Sequence, residues 1–298
     1  MQQLIVIEGP TASGKTALAV QLAKQFNTVV ISADSRQFYK ELSIGTAKPT
    51  PDEMGGVPHY FIDSHSITDQ LTAGSFETEA LALIKQELNN YPKIIVVGGS
   101  GMFIDALCVG LDPIPTNEQI QLTLRKELQE RGLDLLLEEL KESDPAFYAE
   151  VDRSNAARVL RALEVIRSTN KPFSEWRQRK PNPRPFEVIR FVIDHPREVL
   201  YERINQRVDQ MIASGLIDEV KNVLAYRDLT ALLTVGYKEV FEYLDGRDSL
   251  ERCIEKIKQH TRNYAKRQLT WFRRHPEAIW IPHTSVEKMT NQITQMID

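Results

Sequence analysis

The feature that most restricts the fold of this chain is a glycine-rich segment near its N-terminus. Residues 9–16 read Gly-Pro-Thr-Ala-Ser-Gly-Lys-Thr and match the pattern G-x-x-x-x-G-K-[ST]. The apolar run 4–7 precedes this segment, and a stretch of helical character follows it from Lys15 to about Phe26. A strand, a loop of this kind and a helix, in that order, indicate a phosphate-binding loop (P-loop). The alternative interpretation is a glycine-containing turn that binds no ligand.

The residue types in this segment suit a di- or triphosphate. Glycines allow backbone N–H groups to turn inward around phosphate oxygens, and the N-terminus of the following helix adds unpaired donors. A lysine adds a positive charge, and the hydroxyl of Thr16 is a potential ligand for Mg²⁺. The expected diphosphate-binding residues are Gly9, Thr11, Ala12, Ser13, Gly14, Lys15 and Thr16. The motif alone does not say which bond breaks.

Further strands predict an α/β fold. The β-branched runs 29–31 and 94–97 are typical of parallel strands buried on both faces, and helical stretches alternate with them. We therefore expect a P-loop-containing parallel sheet core flanked by helices. The core should comprise residues 1–112 and 186–298, and residues 113–185 should form a mostly helical insertion domain.

Several local signals define the second half of the chain. Thr116 is the expected cap of a helix beginning near Asn117, and Asp144-Pro145 marks a break before another helix at about 155–168. Residues 181–185, Pro-Asn-Pro-Arg-Pro, are typical of a stiff linker. Strand character returns at 188–193 and again at 278–281, with helices expected between 197 and about 266.

Composition narrows the functional classes. The 298 residues carry a net charge of −4 and 42% hydrophobic residues, which excludes a mainly disordered chain. Two cysteines, Cys108 and Cys253, cannot make a four-cysteine zinc site, and the six histidines show no ligand spacing. With no signal-peptide pattern and no long apolar stretch, we expect a cytoplasmic protein without membrane contact.

Basic residues are unevenly distributed. Residues 151–190 contain ten basic and four acidic side chains, and residues 252–275 contain eight basic and one acidic. Such local surfaces attract polyanions even in a slightly acidic protein. In the second block, Tyr264, Trp271 and Phe272 alternate with the charges, as in surfaces that stack on RNA bases. The alternative for both blocks is a solvated helix face with its aromatic residues in the core.

Two further segments follow predicted strands. Asp34 comes directly after the second strand, so the edge of a parallel sheet should place it beside the phosphate loop, where a carboxylate can act as a general base. An Asp that caps a helix is the alternative. The strand at 94–97 ends in Gly98-Gly99-Ser100-Gly101, which offers a hydroxyl and room for a planar substrate. Residues 98–101 include no acidic side chain that could bind magnesium, which disfavours a motor or switch protein.

Taken together in order, these motifs resemble those of the tRNA dimethylallyltransferases (tRNA isopentenyltransferases) of bacteria. The segments that carry the resemblance are 9–16, 34–39, 45–49, 58–63, 98–107, 158–165, 207–209 with 215–216, 236–239 and 261–268. Ser100-Gly101-Met102-Phe103 stands where the family often has Thr-Gly-Leu-Tyr, and Ser100 keeps the hydroxyl. Leu233 and Asn263 replace residues that are commonly Gln, and no role is assigned to Leu233.

The resemblance implies transfer of a dimethylallyl group from dimethylallyl diphosphate to the exocyclic amine of the adenosine immediately 3′ of the anticodon, with release of pyrophosphate. It implies Mg²⁺ as cofactor, bound through Thr16, and the tRNA anticodon stem-loop as partner. Catalytic roles are implied for Asp34 as base, for Ser100 and for Arg207, which lies off the apolar stripe of its helix. The implied tRNA contacts are Ser35, Arg36, Gln37, Arg158 and Arg161. We expect the enzyme to act as a monomer.

Three alternatives remain open at this level. A P-loop small-molecule kinase would use the same Asp34 as base for a substrate hydroxyl. A non-catalytic RNA-binding or nucleotide-switch protein would not need this carboxylate for turnover. An enzyme with the same chemistry that acts on free adenine nucleotides would not need the basic insertion.

Overall fold

The computed structural model describes residues 1–69, 71–177 and 182–297 and divides the chain into two compact units. The first unit comprises Met1–Cys108 and Arg184–Asp298, and the second comprises Val109–Pro183. The sequence predicted a similar helical segment at 113–185. Pro181, Arg179 and Lys180, which belong to the expected linker and the first basic block, lie outside the described residues. None of the helices in the described ranges is long and apolar enough to cross a membrane.

A six-stranded parallel sheet forms the centre of the first unit, which confirms the predicted fold class. Its strands lie in the order β3-β2-β4-β1-β5-β6. They are β1 (Gln2–Glu8), β2 (Val30–Ser32), β3 (His59–Tyr60), β4 (Lys93–Gly98), β5 (Phe186–Asp194) and β6 (Ile279–Pro282). Only the two-residue edge strand β3 was missing from the sequence-based prediction, because so short a segment carries no periodic signal.

Helices cover the sheet, and the described secondary structure of the second unit is helical. Four helices of the first unit come before the second unit in the chain: α1 (Lys15–Gln25), α2 (Pro51–Met54), α3 (Ala73–Gln86) and α4 (Gly101–Cys108). The second unit contains α5 (Glu118–Arg131), α6 (Leu133–Ser143), α7 (Pro145–Glu150), α8 (Ala156–Thr169) and α9 (Phe173–Trp176). The first unit continues with α10 (Arg197–Ala213), α11 (Leu216–Asn222), α12 (Tyr237–Leu244), α13 (Leu250–Phe272) and α14 (Val286–Ile297). Two short 3₁₀ helices, Leu224–Tyr226 and Thr230–Leu232, lie between α11 and α12.

Two large apolar clusters stabilise the first unit, beside smaller ones. One lies on the sheet, where β1 and β4 pack against α1 and α14; Leu18 and Leu22 of α1 are completely buried there. The other joins α10, α11, α12 and α13 through side chains such as Val208, Val240 and Ile257. Because each buried aliphatic side chain contributes about 1.5–3 kcal/mol, these clusters fix the helices that carry the polar groups described below.

The second unit is a small helical bundle with its own core. Leu124, Leu140, Phe147 and Leu163 are among its buried residues. Asn117, and not Thr116 as predicted, caps α5: its side chain accepts a hydrogen bond from the N–H of Ile120. An Asn oxygen caps at least as well as a Thr hydroxyl, and the two positions are adjacent, so the sequence signal was ambiguous by one residue.

The glycines that end β4 are required for contacts within the protein. A Cβ at Gly98 would lie 2.5 Å from the backbone oxygen of Ala33, one at Gly99 would lie 2.3 Å from the side-chain nitrogen of Gln268, and one at Gly101 would lie 2.2 Å from the Trp271 ring. The contacts with Ala33 and Gln268 thus explain why these positions need glycine. Gly98 and Gly99 also line the cavity of the first unit, and room for a planar substrate there remains a prediction.

Candidate active site

The phosphate loop connects β1 to α1 in the geometry that an anion site requires. Gly14 has φ +87° and Ala12 has φ +64°, values that turn successive N–H groups to one side of the loop. A Cβ at Gly9 would lie 2.7 Å from the Ser13 hydroxyl, so this position also needs glycine. The Ser13 hydroxyl is buried without a hydrogen-bond partner among the described residues. The loop therefore has unused donors at its centre.

Lys15 lies within a group of charges at this loop. Its ammonium donates to the backbone oxygen of Pro10 at 2.8 Å. Burial lowers the pKa of Lys15 to about 8; the nearby Asp34 carboxylate opposes this shift, and the nearby Arg207 adds to it. Lys15 is thus placed to gain from a polyanionic ligand, which would favour its charged form.

Two arginines of α10 reach the phosphate loop. Arg203 donates from Nε to the backbone oxygen of Ala12 at 2.7 Å, and Arg207 donates from Nη1 to the hydroxyl of Thr11 at 3.3 Å. Burial, and then the neighbouring Arg203, lower the pKa of Arg207. Leu200, Ile204 and Val208 of the same helix are buried, so the two arginines are directed away from the apolar core. The structure places Arg207 where the sequence predicted a second phosphate clamp, and Arg203 beside it.

Asp34 begins a tight turn, residues 34–37, which we call the Asp34 turn. The Oδ1 atom of Asp34 accepts a hydrogen bond from the N–H of Arg36 at 3.1 Å, and the backbone oxygen of Asp34 accepts one from the N–H of Gln37. The N–H of Ser35 donates to the Ser100 hydroxyl at 3.0 Å, and that hydroxyl donates to the hydroxyl of Ser35. The end of β4 therefore supports the turn after β2.

The next two side chains of the turn bind the protein's own backbone. Arg36 donates from Nη1 to the backbone oxygens of Thr230 and Ala231, at 2.9 and 3.1 Å. Gln37 donates from Nε2 to the backbone oxygens of Thr46 and Ala47, both at 3.2 Å. In this structure, these side chains hold neighbouring loops in place. Their role in tRNA binding remains a prediction.

Helix α13 contributes one face to the same site. Gln268 accepts from the N–H of Thr11 at 2.9 Å and donates to the backbone oxygen of Gly99 at 2.8 Å. Tyr264, one turn earlier, lies close to Ser100; burial raises the pKa of its phenol to about 12, with Asp34 adding to the shift. The phenol therefore stays protonated at neutral pH and can donate. Trp271, on the same face, packs against Gly101.

These groups line one cavity of about 880 Å³. Its wall includes the phosphate loop, the Asp34 turn, Ser100, both arginines of α10 and the α13 face with Tyr264 and Gln268. Loop residues 45–47 and the first turn of α12 complete it. A cavity this large holds a diphosphate together with a second, bulkier group.

The cavity contains two oxygen-bearing side chains that suit a magnesium ion. Thr16 lines it at the start of α1, and Asp34 lines it after β2, at the same edge of the sheet. Mg²⁺ is commonly bound by one or two protein oxygens, phosphate oxygens of the substrate and water, so this sparse set fits. The described parts of the chain contain no cluster of three His, Cys, Asp or Glu side chains that would make a self-sufficient metal site.

A buried ionic network lies behind the phosphate loop. Arg190 of β5 donates to both oxygens of Glu8, the last residue of β1, at 2.7 and 2.9 Å, and to Asp105 of α4 at 2.9 Å. Asp105 also accepts from the indole N–H of Trp271 at 2.8 Å, and His275 contacts both Asp105 and Arg190. Glu8 is therefore fully engaged and is not a free acid next to the loop.

The two arginines predicted on the insertion differ in their surroundings. Arg158 of α8 is exposed. Arg161 is paired with the buried Glu164 at 2.8 Å and donates to the backbone oxygen of Ile114. Glu164 also accepts from the N–H of Asn117 at the start of α5. Arg161 thus stabilises the bundle, whereas Arg158 is available to a partner.

Sequence reasoning missed Arg203 and Gln268 as parts of the site. Arg203, like Arg207, lies off the apolar stripe of α10, but this position alone does not distinguish a ligand-binding arginine from a solvated one. The available signal for Gln268 was its position one turn from Tyr264 and three residues from Trp271 on one helix face. A polar residue on an otherwise buried face predicts a buried partner, but the sequence does not say which backbone groups it meets.

The amino-acid sequence of this chain is similar to those of known proteins. The family model described as IPP transferase matches residues 37–275. A protein of Parabacteroides distasonis named tRNA dimethylallyltransferase 2 is 43% identical over 298 residues, covering all of both chains. A tRNA dimethylallyltransferase of Cytophaga hutchinsonii is 47% identical over 291 residues, 97% of this chain and 96% of that one.

Solved structures of related proteins have a similar fold. The tRNA isopentenylpyrophosphate transferase of Bacillus halodurans has a TM-score of 0.73 and 37% identity, and the match covers 100% of this chain and 96% of that one. A eukaryotic dimethylallyltransferase described as acting on tRNA has a TM-score of 0.81 and 27% identity, and the match covers 100% of this chain and 78% of the other.

Proposed function

The chain belongs to the IPP transferase family of tRNA dimethylallyltransferases, and from this premise we propose that it transfers a dimethylallyl group from dimethylallyl diphosphate to tRNA. The acceptor is the exocyclic amine of the adenosine immediately 3′ of the anticodon, and pyrophosphate is released. The observation that carries the proposal is that Asp34 and the phosphate loop line the same cavity.

The reaction needs a base on one side and an anion site on the other. The nitrogen of the amine attacks the allylic carbon C1 of the donor, a C–N bond forms, and the C1–O bond to the diphosphate breaks. The electron pair of that bond leaves with pyrophosphate. The proton of the amine passes to the carboxylate of Asp34, which removes positive charge as it develops on the nitrogen.

The leaving group is the part that the phosphate loop serves. Inward N–H groups, Lys15 and the guanidinium of Arg207 stabilise the negative charge that develops on the diphosphate as the C–O bond breaks. Because these donors are held by β1, α1 and α10 before the substrate binds, little reorganisation accompanies the reaction. The loop thus holds a departing pyrophosphate, and no phosphoryl transfer is required.

Mg²⁺, when bound, neutralises part of the diphosphate charge. Thr16 is the residue that would hold it, with Asp34 nearby in the cavity wall. Ser100 and Tyr264 line the cavity beside the Asp34 turn and would orient the incoming adenine. The hydroxyl of Ser100 accepts from the N–H of Ser35, and the phenol of Tyr264, which stays protonated at neutral pH, offers a donor.

The tRNA must present an unstacked adenosine to this cavity. We propose the anticodon stem-loop as the partner, with Ser35, Arg36 and Gln37 near the inserted base and Arg158 on the RNA backbone. Arg161 contributes less, because its guanidinium is paired with Glu164. We further propose that the enzyme acts in the cytoplasm as a monomer.

One incubation tests this function. The protein is mixed with isotope-labelled dimethylallyl diphosphate, Mg²⁺ and an anticodon stem-loop RNA, and nucleosides are analysed after digestion. We expect label on the adenosine 3′ of the anticodon and one pyrophosphate released per modified RNA. Phosphoryl transfer from ATP to a small molecule, with no label in the RNA, would instead identify a P-loop kinase. Label on free adenine nucleotides in preference to RNA would contradict the acceptor.

A further inference from the structure

Glu219 of α11 carries a carboxylate that is surrounded by hydrogen-bond donors. It does not belong to the phosphate loop, the Asp34 turn or the α13 face. Its two oxygens accept from three consecutive backbone N–H groups, those of Ser43, Ile44 and Gly45, at 2.9, 2.7 and 2.9 Å. Oε1 also accepts from the hydroxyl of Tyr237 at 2.6 Å. Three successive N–H groups that converge on one carboxylate resemble an anion-binding nest that the protein fills with its own side chain.

Tyr237 completes this arrangement from α12. Its side chain is completely buried, and its ring lies where a Cβ on Gly45 would be, 2.6 Å away. Burial and the adjacent Glu219 both raise the pKa of the Tyr237 phenol, so the hydroxyl remains a donor. Glycine at 45 therefore permits close contact between the loop and the tyrosine, and the loop has little freedom to move away from α11.

The same loop is bound on its other side by the Asp34 turn. Gln37 donates to the backbone oxygens of Thr46 and Ala47, and the N–H of Gln37 donates to the backbone oxygen of Asp34. A continuous series of hydrogen bonds thus runs from Glu219 through residues 43–47 and Gln37 to the turn that carries the base. Residues 45–47 also form part of the cavity wall.

We propose that Glu219 is a positioning residue for the reaction: through the 43–47 loop and Gln37, it holds the Asp34 turn at the distance and angle that proton removal from the acceptor requires. The role rests on the proposed function of Asp34. Among the described residues, no hydrogen bond or ion pair joins Glu219 to the phosphate loop, Arg203 or Arg207. It should therefore affect the chemical step much more than binding of the diphosphate.

The first experiment uses Glu219→Gln, which keeps the shape but directs an NH₂ group at backbone donors. We expect kcat to fall about 10- to 100-fold, as for small misplacements of a catalytic group. The KM for dimethylallyl diphosphate and the inhibition constant of pyrophosphate should stay within about twofold. Tyr237→Phe, which leaves the three backbone donors in place, should have a smaller effect. Asp218→Asn is the matched control, because Asp218 is exposed on the same helix and, within the described part of the chain, is paired only with Lys221.

A double-mutant cycle tests the route. If Glu219 acts through Gln37, the fold-loss of kcat in the double variant Glu219→Gln with Gln37→Ala should be much smaller than the product of the fold-losses in the two single variants. Independent, multiplying effects would overturn the proposed route. A rise in the pyrophosphate inhibition constant that parallels the fall in kcat would overturn the positioning role and indicate general disruption of the site.

Hydrogen exchange supplies a readout that does not depend on turnover. The amides of residues 43–45 should be protected in the wild type and should exchange at least about tenfold faster in Glu219→Gln, with the melting temperature of the whole protein little changed. Unchanged exchange would contradict the proposal at its first step. If the wild type transfers no dimethylallyl group to RNA, the proposed function fails, and the exchange result shows separately whether Glu219 orders the loop.

Discussion

Gln268 accepts a hydrogen bond from the backbone N–H of Thr11 at 2.9 Å and so attaches helix α13 to the phosphate loop. Because its amide also donates to Gly99, one buried side chain sets the spacing between this loop and the turn that carries Ser100. The uncharged side chain of Gln268 therefore connects the site for the leaving group with the side of the cavity that carries Ser100 and Asp34.

Replacing Gln268 should weaken the diphosphate site. Gln268→Ala leaves the half-buried N–H of Thr11 and the buried backbone oxygen of Gly99 without their partner, at a cost of about 1–3 kcal/mol for a buried group. We expect the inhibition constant of pyrophosphate to rise about 5- to 100-fold, measured by competition with dimethylallyl diphosphate. Gln259→Ala, at an exposed position of the same helix, is the control and should change nothing. Equal affinity in both variants would show that the bridge is not needed.

The carboxylate of Asp34 can be tested with its geometry preserved. Asp34→Asn keeps an oxygen for the N–H of Arg36 but cannot take a proton. Single-turnover measurements should give a rate lower by at least about 100-fold, with tRNA affinity and melting temperature nearly unchanged. Asp52→Asn, in the exposed first turn of α2, should keep full activity. An Asp34→Asn variant with near wild-type turnover would favour a non-catalytic RNA-binding or switch protein.

The depressed pKa of Lys15 predicts a pH dependence. Its pKa is lowered to about 8 by burial, so in the free enzyme the ammonium loses its proton as the pH rises through this value. The neutral amine no longer attracts the diphosphate, and the inhibition constant of pyrophosphate should rise above about pH 8 by up to about tenfold per pH unit. Lys15→Arg stays charged and corrects for ionisation of the ligand. Parallel profiles for the two proteins would assign the effect to another group.

Breaking the Glu8–Arg190 pair should destabilise the first unit. Both side chains are almost completely buried, and removal of one leaves an uncompensated charge. Arg190→Met should lower the free energy of unfolding by about 3–5 kcal/mol, measured by urea denaturation. The double variant Glu8→Leu with Arg190→Met should lose less than Arg190→Met alone. A larger loss in the double variant would mean that the pair itself contributes net stability.

Two arginines of α8 should separate RNA binding from folding. Arg158→Ala removes an exposed charge, so tRNA affinity should fall and the slope of its salt dependence should decrease by about one, with unchanged stability. Arg161→Ala leaves the buried Glu164 without its ion pair and should lower the melting temperature. Affinity measured from 50 to 200 mM salt, together with thermal unfolding, distinguishes them. The reverse pattern would contradict both assignments.

The sequence allowed the phosphate loop, the parallel sheet and the position of Asp34 to be predicted because these depend on local patterns. The loop motif is contiguous, and the end of a parallel strand has a known direction. Arg207 could be placed because the apolar stripe of α10 shows which face turns away from the core.

Contacts between distant segments could not be predicted in the same way. The bridge from Gln268 to Thr11 spans 257 positions, and the pair of Glu8 and Arg190 spans 182. Whether Gly98 faces a substrate or another strand depends on how closely β2 and β4 approach, and a single sequence does not contain this information.

Gly98 also limits how this scaffold can diverge. The only atom that position 98 can carry toward Ala33 is hydrogen, since a carbon there would lie 2.5 Å from the backbone oxygen of Ala33, the residue after β2. An aspartate or glutamate at this strand end, where many nucleotide-hydrolysing P-loop proteins hold their metal, would force the ends of β2 and β4 apart. A metal-binding acid therefore cannot be introduced at position 98 without a shift of the backbone.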